Sequence, residues 1–243
     1  MRGLRGRTVL LTRADCGGWS GAVKRLGGRI VHLPCIEIQP LREPALRAQL
    51  RLELGRADWL ALTSGHGAAA IAMLHTQPLP ERLRIAAVGC ASAAAAVRLL
   101  GRCDLVPPRS SALALGRSLA RIVWQEGTAA HVKIVIAAAD RGRRDLEVAL
   151  EQHGIEVIRI PVYRTVPAAR RRAKLDLERL GVDAIVIASP SAAEGLLNLA
   201  RIPAGARVIS IGPTTTAAAR ALGLAVSATA QRPTLKSLLE VLS

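Results

Sequence analysis

Aromatic side chains are almost missing from this chain, which has no Phe, one Tyr and three Trp among its 243 residues. Lysine is scarce too, with 4 against 30 arginines, so the formal charge of +16 rests on Arg. Such a charge directs attention to nucleic acid, because basic side chains neutralise phosphates and release counterions. The arginines are spread along the chain, however, and a surface for unpaired bases needs rings on which they stack. Only Arg170, Arg171, Arg172 and Lys174 form a dense run, without an aromatic residue among them, and it reads as the solvated start of a helix. No nucleic-acid partner is expected. The charge favours a polyanion of another kind, small polycarboxylates included.

Other absences narrow the classes further. No apolar stretch runs the roughly 18 to 20 residues of a membrane span without a charge, so no membrane partner is expected. Arg2, Arg5 and Arg7 interleave with glycine before an apolar run that stops at Arg13, which reads as a strand and is too short for a signal peptide. A cytoplasmic location follows, and with it reduced, buried thiols at Cys16, Cys35, Cys90 and Cys103. These cysteines lie far apart, and His32, His66, His75, His131 and His153 form no His-x-x-x-His pattern, so no metal site is expected. Neither GxGxxG nor GxxxxGK[ST] occurs, which argues against dinucleotides and nucleoside triphosphates, and no GxSxG elbow is present.

What the chain does have is a repeat of itself. ADWLALTSGHGAAAIAML from Ala57 matches VDAIVIASPSAAEGLLNL from Val182, placing Asp58 on Asp183 and Ser64 on Ser189, both at an offset of 125. RIAAVGCASAAAAVRLLG from Arg84 matches RVISIGPTTTAAARALG from Arg207, and VLLTRADCGGWSGAVKRLGGRIVHLP from Val9 resembles IVIAAADRGRRDLEVALEQHGIEVIRIP from Ile134. Two copies of one α/β unit follow. Each copy reads as five strands alternating with helices, the strands including Val9–Thr12, Trp59–Leu62, Ile85–Val88, Ile134–Ala137, Ile185–Ala188 and Val208–Ile211. Gly27, Gly101, Gly154 and Gly223 are placed to stop helices. The fold class is α/β, with two doubly wound parallel-sheet domains. Ile36–Gln39 and Val162–Val166 are extended segments bounded by prolines, which keep them from merging into a central strand and leave them to pair as a two-stranded β-ribbon linker. Periodicity alone leaves a simple division near Gly127 equally open.

In open parallel sheets, ligands bind beyond the carboxyl ends of the strands, on loops and helix N-termini that present N–H groups. Here those ends carry Thr12-Arg13, Thr63-Ser64-Gly65-His66-Gly67, Gly89-Cys90-Ala91-Ser92, Ser189-Pro190-Ser191 and Gly212-Pro213-Thr214-Thr215-Thr216. Each hydroxyl taken singly is explained by helix capping. Together, on two domains with a cleft between them, they suit a polyanion that is neither phosphate-rich nor metal-bound.

VLLTR, LPCIEIQP, DWLALTSGHG, AAVG, PVYRTVP, DAIVIASPSA and SIGPTTTAAARALGLAVSATAQRPT fall in the order and spacing of the uroporphyrinogen-III synthases, a family the chain resembles along nearly its whole length. The chain departs from the usual pattern at His66, Ala138, Ala139 and Ala188, keeps Gly142-Arg143, and has Ser92 where threonine is common. The resemblance implies a discontinuous domain of residues 1–35 plus 168–243, a second domain of residues 41–161, and a linker of residues 36–40 and 162–167. It implies a cofactor-free, monomeric enzyme that cyclises linear hydroxymethylbilane to uroporphyrinogen III with inversion of ring D, taking its substrate by transient handover from the enzyme that makes it. Tyr163, the sole tyrosine, falls where the family's cleft tyrosine falls and is the expected general acid. Arg13, Ser64, Gly65, Ser92, Arg143, Ser189, Ser191, Thr214 and Thr215 are the expected substrate-binding residues. Two rivals are a catalytically degenerate protein that binds or senses tetrapyrroles and, on charge alone, a nucleic-acid-binding regulator.

Overall fold

The computed structural model describes residues 3–127, 131–232 and 234–242. In chain order the elements are β1 (Thr8–Leu11), α1 (Gly17–Arg25), β2 (Arg29–His32), β3 (Ile36–Pro40), α2 (Pro44–Arg56), β4 (Trp59–Leu62), α3 (Gly65–Leu74), β5 (Arg84–Ala87), α4 (Cys90–Leu100) and α5 (Ala112–Gln125). They continue with β6 (Lys133–Ala139), α6 (Asp145–Glu151), β7 (Glu156–Pro167), β8 (Leu175–Asp176), β9 (Ala184–Ile187), α7 (Pro190–Leu199), β10 (Ala200–Arg201), β11 (Arg207–Ser210), α8 (Pro213–Ala221), β12 (Val226–Thr229) and α9 (Leu235–Leu242).

The described residues divide into two compact units, one running up to Glu37 and resuming at Thr165, the other Ile38–Arg164. The first holds a five-stranded sheet of order β12-β11-β9-β1-β2, whose strand pairings are all parallel. The second holds the order β3-β7-β6-β4-β5, parallel across β7, β6, β4 and β5. At the edge, β3 runs antiparallel to β7, as the bonds Leu41 N–H to Val162 O (3.0 Å) and Ala168 N–H to Cys35 O (2.9 Å) require. The repeat is therefore interleaved. β1 and β2 of the first copy share a sheet with β9, β11 and β12 of the second, while β4 and β5 of the first join β6 and β7 of the second.

Side-chain alternation in the short strands supplies a core on each sheet face. Leu60 and Leu62 of β4 enter one cluster with Ile71, Leu83, Val135 and Ile160, while Trp59 and Ala61 enter another with Leu115, Leu119, Ile134 and Leu146. In the first unit Leu10, Ile185 and Ile187 face one cluster, and Val9, Leu11, Val186 and Ile209 face the other. Gly101 and Gly223 close α4 and α8 at φ of +87° and +83°, a conformation that penalises any Cβ.

The matched aspartates turn out to be structural. Asp183 Oδ2 accepts the Thr8 N–H at 2.7 Å, and its own N–H donates to Thr8 O at 3.0 Å. Asp58 does the same with Lys133, at 2.9 and 3.0 Å. Arg207 N–H and Arg84 N–H then bond to the carbonyls of Asp183 and Asp58, each at 2.9 Å. Each aspartate thus pins three strands together at their amino ends, away from the loops that a ligand would use.

Four expectations need correction. The strands other than β4 begin earlier than the apolar runs, because Thr8, Arg84, Lys133 and Arg207 also join the ladders. Pro161 does not interrupt its strand: β7 runs through it, with a register shift where Ala138 faces Pro161 and Ala139 faces Tyr163. Arg170–Lys174 starts no helix, for the chain passes through a turn into β8, which pairs with β10. Finally, all four cysteines are free, but only Cys35 is buried, and Cys90 is exposed on the first turn of α4.

Candidate active site

Each sheet has one position where the connections depart in opposite directions. In the first unit it lies between β1 and β9, and in the second between β4 and β6. The loops beyond the carboxyl ends of such strand pairs are the preferred ligand sites of doubly wound sheets.

Between β4 and β6, three of the expected residues come together. Ser64 is the N-cap of α3, its oxygen accepting the Gly67 N–H at 3.2 Å. The same oxygen lies 2.9 Å from the hydroxyl of Tyr163. The ring of Tyr163 is buried at 6% exposure among the residues packed on β4 and β6, with the His66 ring edge-on at a centroid distance of 6.0 Å. Gly65 opens α3 and presses on α4, where a Cβ would meet that of Ala95 at 3.3 Å. Ser92 sits within the first turn of α4 and is buried, and the N-cap there is Gly89.

The loop after β6 is held from below. Asp140 N–H donates to Tyr163 O at 2.8 Å, and Arg159 Nη2 donates to Ala139 O at 2.7 Å and to Gly142 O at 3.3 Å. Nη1 of Arg159 forms an ion pair with Glu147, which is almost wholly buried in α6. A Cβ on Gly142 would approach Arg159 Nη2 to 2.9 Å and Ala139 O to 3.2 Å, so a side chain there would disturb this tether. Arg143 lies beyond it, largely exposed and paired with Asp145 at 2.6 Å.

Between β1 and β9, Thr12 joins the strand ends: its Oγ1 donates to Val186 O at 2.8 Å and accepts the Ala188 N–H at 3.2 Å. Arg13 follows, with its guanidinium 4.8 Å from the Trp19 ring centroid and a buried Nε that has no partner. Its carbonyl oxygen lies 2.9 Å from His32 Nε2. Ser189 caps α7 by accepting the Ala192 N–H at 3.1 Å, and Ser191 occupies the first turn. After β11 the N-cap of α8 is Gly212, Thr214 is exposed, and Thr215 is buried.

Sequence reasoning missed two polar groupings here. Thr216, next to the expected pair, turns inward to Ser210 Oγ and, at 2.7 Å, to Thr229 Oγ1. Glu147 and Arg159 carry no motif, yet a signal existed: with Pro34 set on Pro161, Arg159 falls on His32, and both side chains hold the loop that follows the first strand of their copy.

Similarity to known proteins bears on the family and the fold. The profile of the family described as Uroporphyrinogen-III synthase HemD matches residues 18–240. The chain belongs to the uroporphyrinogen-III synthase family. Within it, the chain is 29% identical over 208 residues to the chloroplastic uroporphyrinogen-III synthase of Oryza sativa subsp. japonica, a match covering 84% of this chain and 68% of the rice protein. Its fold is similar to that of the uroporphyrinogen-III synthetase of Helicobacter pylori, with a TM-score of 0.58 at 14% identity over 97% of this chain and 98% of the other. A mutant uroporphyrinogen III synthase from the extreme thermophile Thermus thermophilus gives a TM-score of 0.50 at 18% identity, covering 98% and 97% of the two chains.

Proposed function

We infer that the chain is an active uroporphyrinogen-III synthase, a lyase of tetrapyrrole biosynthesis that closes hydroxymethylbilane to uroporphyrinogen III. Family membership over residues 18–240 carries this reading. The reaction is redox-neutral: the terminal C–O bond breaks, water leaves, and a carbon–carbon bond closes the ring. The bilane is a flexible polycarboxylate that closes by itself to the uninverted type I ring. An enzyme must therefore hold it in one shape, which is catalysis by orientation.

The strand-end loops are suited to that holding. Helix N-termini at α3, α4, α7 and α8 present N–H groups, each favouring an anion by about 0.3 to 1 kcal/mol at exposed sites. We assign Gly65, Ser189, Ser191 and Thr214 to carboxylate binding, with Ser64, Ser92 and Thr215 contributing through the N–H groups of their helix starts, together with Arg13, whose buried Nε still lacks an acceptor, and Arg143. Binding spread over so many weak donors makes single losses mild.

Tyr163 is assigned the proton delivered to the departing hydroxyl. Ser64 accepts from Gly67 N–H and has one proton of its own; when it donates that proton to the phenol oxygen, the phenol proton is free to point at the substrate. A neutral phenol brings no charge beside the azafulvene cation that forms as water leaves. Attack by ring D at its substituted carbon then gives a spiro intermediate, which rearranges to the type III ring with loss of one ring-carbon proton, and that proton balances the one the phenol gave up. We further propose that the enzyme works as a cytoplasmic monomer, a compartment that suits four free thiols, and that it receives its substrate from the enzyme that makes it. No described helix is long and apolar enough to cross a membrane.

The test is to supply freshly made hydroxymethylbilane and resolve the oxidised type I and type III products. Dominant type III is expected. Type I alone, at the spontaneous rate, would overturn the catalytic reading in favour of a protein that only binds tetrapyrroles.

A further inference from the structure

The basic run that reads from sequence as a solvated helix start is solvent-exposed but starts no helix, and it lines a pocket. Arg170, Arg171, Arg172, Lys174 and Arg201 surround a depression of about 420 Å³ in the first unit. None of these five side chains has a hydrogen bond or an ion pair among the described residues. The carboxylate beside them is already engaged, since Asp176 pairs with Arg179 at 3.4 Å and accepts the N–H groups of Glu178 and Arg179. Like charges gathered within a Debye length of about 8 to 10 Å repel one another, and the one carboxylate among the pocket's lining residues, Asp176, is already paired with Arg179.

A second depression of about 410 Å³ adjoins the first, and the two share Lys174 and Arg201. Its character is opposite: Leu197, Ile202, Pro203, Val208 and Leu224 form its wall. Topology puts both pockets at the amino ends of the strands. α7 leaves the carboxyl end of β9 and finishes at Leu199, so Ala200–Ala206 lies before β11, and Gly223–Ala225 lies before β12. None of the strand-end residues assigned to the bilane lines either pocket. A cation or two would be expected at the carboxyl terminus of α7, to offset its dipole. Five unpaired cations beside an apolar wall exceed that need.

We propose that the adjoining pockets form a second ligand site, for a small amphipathic phosphate: an apolar body of about bicyclic size in the hydrophobic pocket, carrying a phosphate monoester into the basic one. Arginine forks match phosphate oxygens in pairs, and a monoester brings about −1.5 to −2 charges at neutral pH. Lys174 and Arg201, shared by both pockets, would sit at the junction of body and head. The site stands apart from the cyclisation reaction and does not rest on it.

The probe is 1-naphthyl phosphate, titrated by its fluorescence, with inorganic phosphate and 1-naphthol as the head-only and body-only controls. One-to-one binding is expected, at least about tenfold tighter than either control and weakened by salt. The double variant Lys174→Glu/Arg201→Glu should lose about tenfold or more in affinity, with turnover of hydroxymethylbilane and melting temperature unchanged. Ala204→Trp, at an exposed turn on the apolar rim, should abolish the preference for the naphthyl ester over inorganic phosphate. Equal affinity for inorganic phosphate and the ester would overturn the two-part site, and so would naphthyl phosphate binding that the double variant leaves intact. Failure of the ester to bind the unaltered protein at all would overturn it outright.

Discussion

At the carboxyl end of β4, the oxygen of Ser64 is shared between the Gly67 N–H and the Tyr163 hydroxyl; at the carboxyl end of β9, Ser189, its counterpart in the repeat, serves the Ala192 N–H. The residue that the repeat sets against Tyr163, with Pro161 on Pro34, is Ile36, which packs on the apolar core of the first unit. The reverse holds after β11. There Ser210, Thr216 and Thr229 join their hydroxyls, while Ala87 and Ala93 stand at the places of the first two in the other copy. What the copies share, the aspartate clamp, the serine cap and the tethered loop, is what either sheet needs in order to fold. What only one copy has is not required by the frame. We propose on this contrast that Tyr163, though packed in the core of its unit, serves the chemistry as well as the frame.

The sharpest way to break that inference is Tyr163→Phe. Loss of a general acid costs about 10²- to 10⁴-fold, so type III formation should fall by that order while the spontaneous type I ring rises in its place. Melting temperature should move little, because the ring stays in its packing. Unaltered type III turnover by the Phe protein would leave Tyr163 as no more than the aromatic partner of His66.

The aspartates test the shared half of the comparison. Asp58→Ala and Asp183→Ala each delete an acceptor for a backbone N–H at a strand start, and each should lower stability by about 1 to 2 kcal/mol in denaturant titration. Similar losses are expected in both, with kcat nearly unchanged in the protein that remains folded. A large loss in one and none in the other would mean that the two clamps are not equivalent.

The serines divide more finely. Removing an N-cap costs about 0.5 to 2 kcal/mol, so Ser64→Ala and Ser189→Ala should be destabilised alike. Only Ser64→Ala also strips the phenol of its partner, so it should reduce kcat further than Ser189→Ala does. Equal kcat values would detach Ser64 from the chemistry of Tyr163.

Much of this frame was legible beforehand. The alternation of apolar runs with alanine-rich helices pointed to doubly wound sheets, and the 125-residue offset identified the paired serines and aspartates. The role of the aspartates was not legible, because a carboxylate before a strand looks like any loop residue until the neighbouring strand start is placed against it. Nor was the loss of a helix in the second copy. Pro44–Arg56 forms α2 with Leu50 and Leu54 buried, but the matching stretch puts Arg179 at the place of Leu54 and Gly181, at φ +61°, just before the next strand. Without its second apolar anchor the segment forms a turn and β8, and its arginines line a pocket. At the site, the hydroxyls could be named from sequence, but which of them face inward depends on helix phase within the first turn, as Thr215 and Thr216 against Thr214 demonstrate.

The smallest expected difference between the copies concerns acid. His75 follows α3 and Ala200 follows α7, at matched places where each backbone N–H closes its helix. Burial pushes the imidazole of His75 below its ordinary pKa, and the nearby Arg51 guanidinium acts in the same direction, while a hydrogen bond to the Pro78 backbone opposes them. Its Nε2 is buried without a partner, so a proton placed there would meet neither water nor an acceptor. Between that lowered value and the unfolded one near 6.5, the unfolded chain binds more protons than the folded one. Stability should therefore be fully present above about pH 7, fall as pH drops through the unfolded value, and level off below the folded one. His75→Ala, which makes this position like Ala200, should flatten that slope while costing some stability at neutral pH through lost packing. Melting temperatures at a series of pH values from about 5 to 8, for the unaltered protein and for His75→Ala, measure the difference. Identical slopes would show that the acid sensitivity of the second unit lies elsewhere, and that this departure between the copies has no electrostatic consequence.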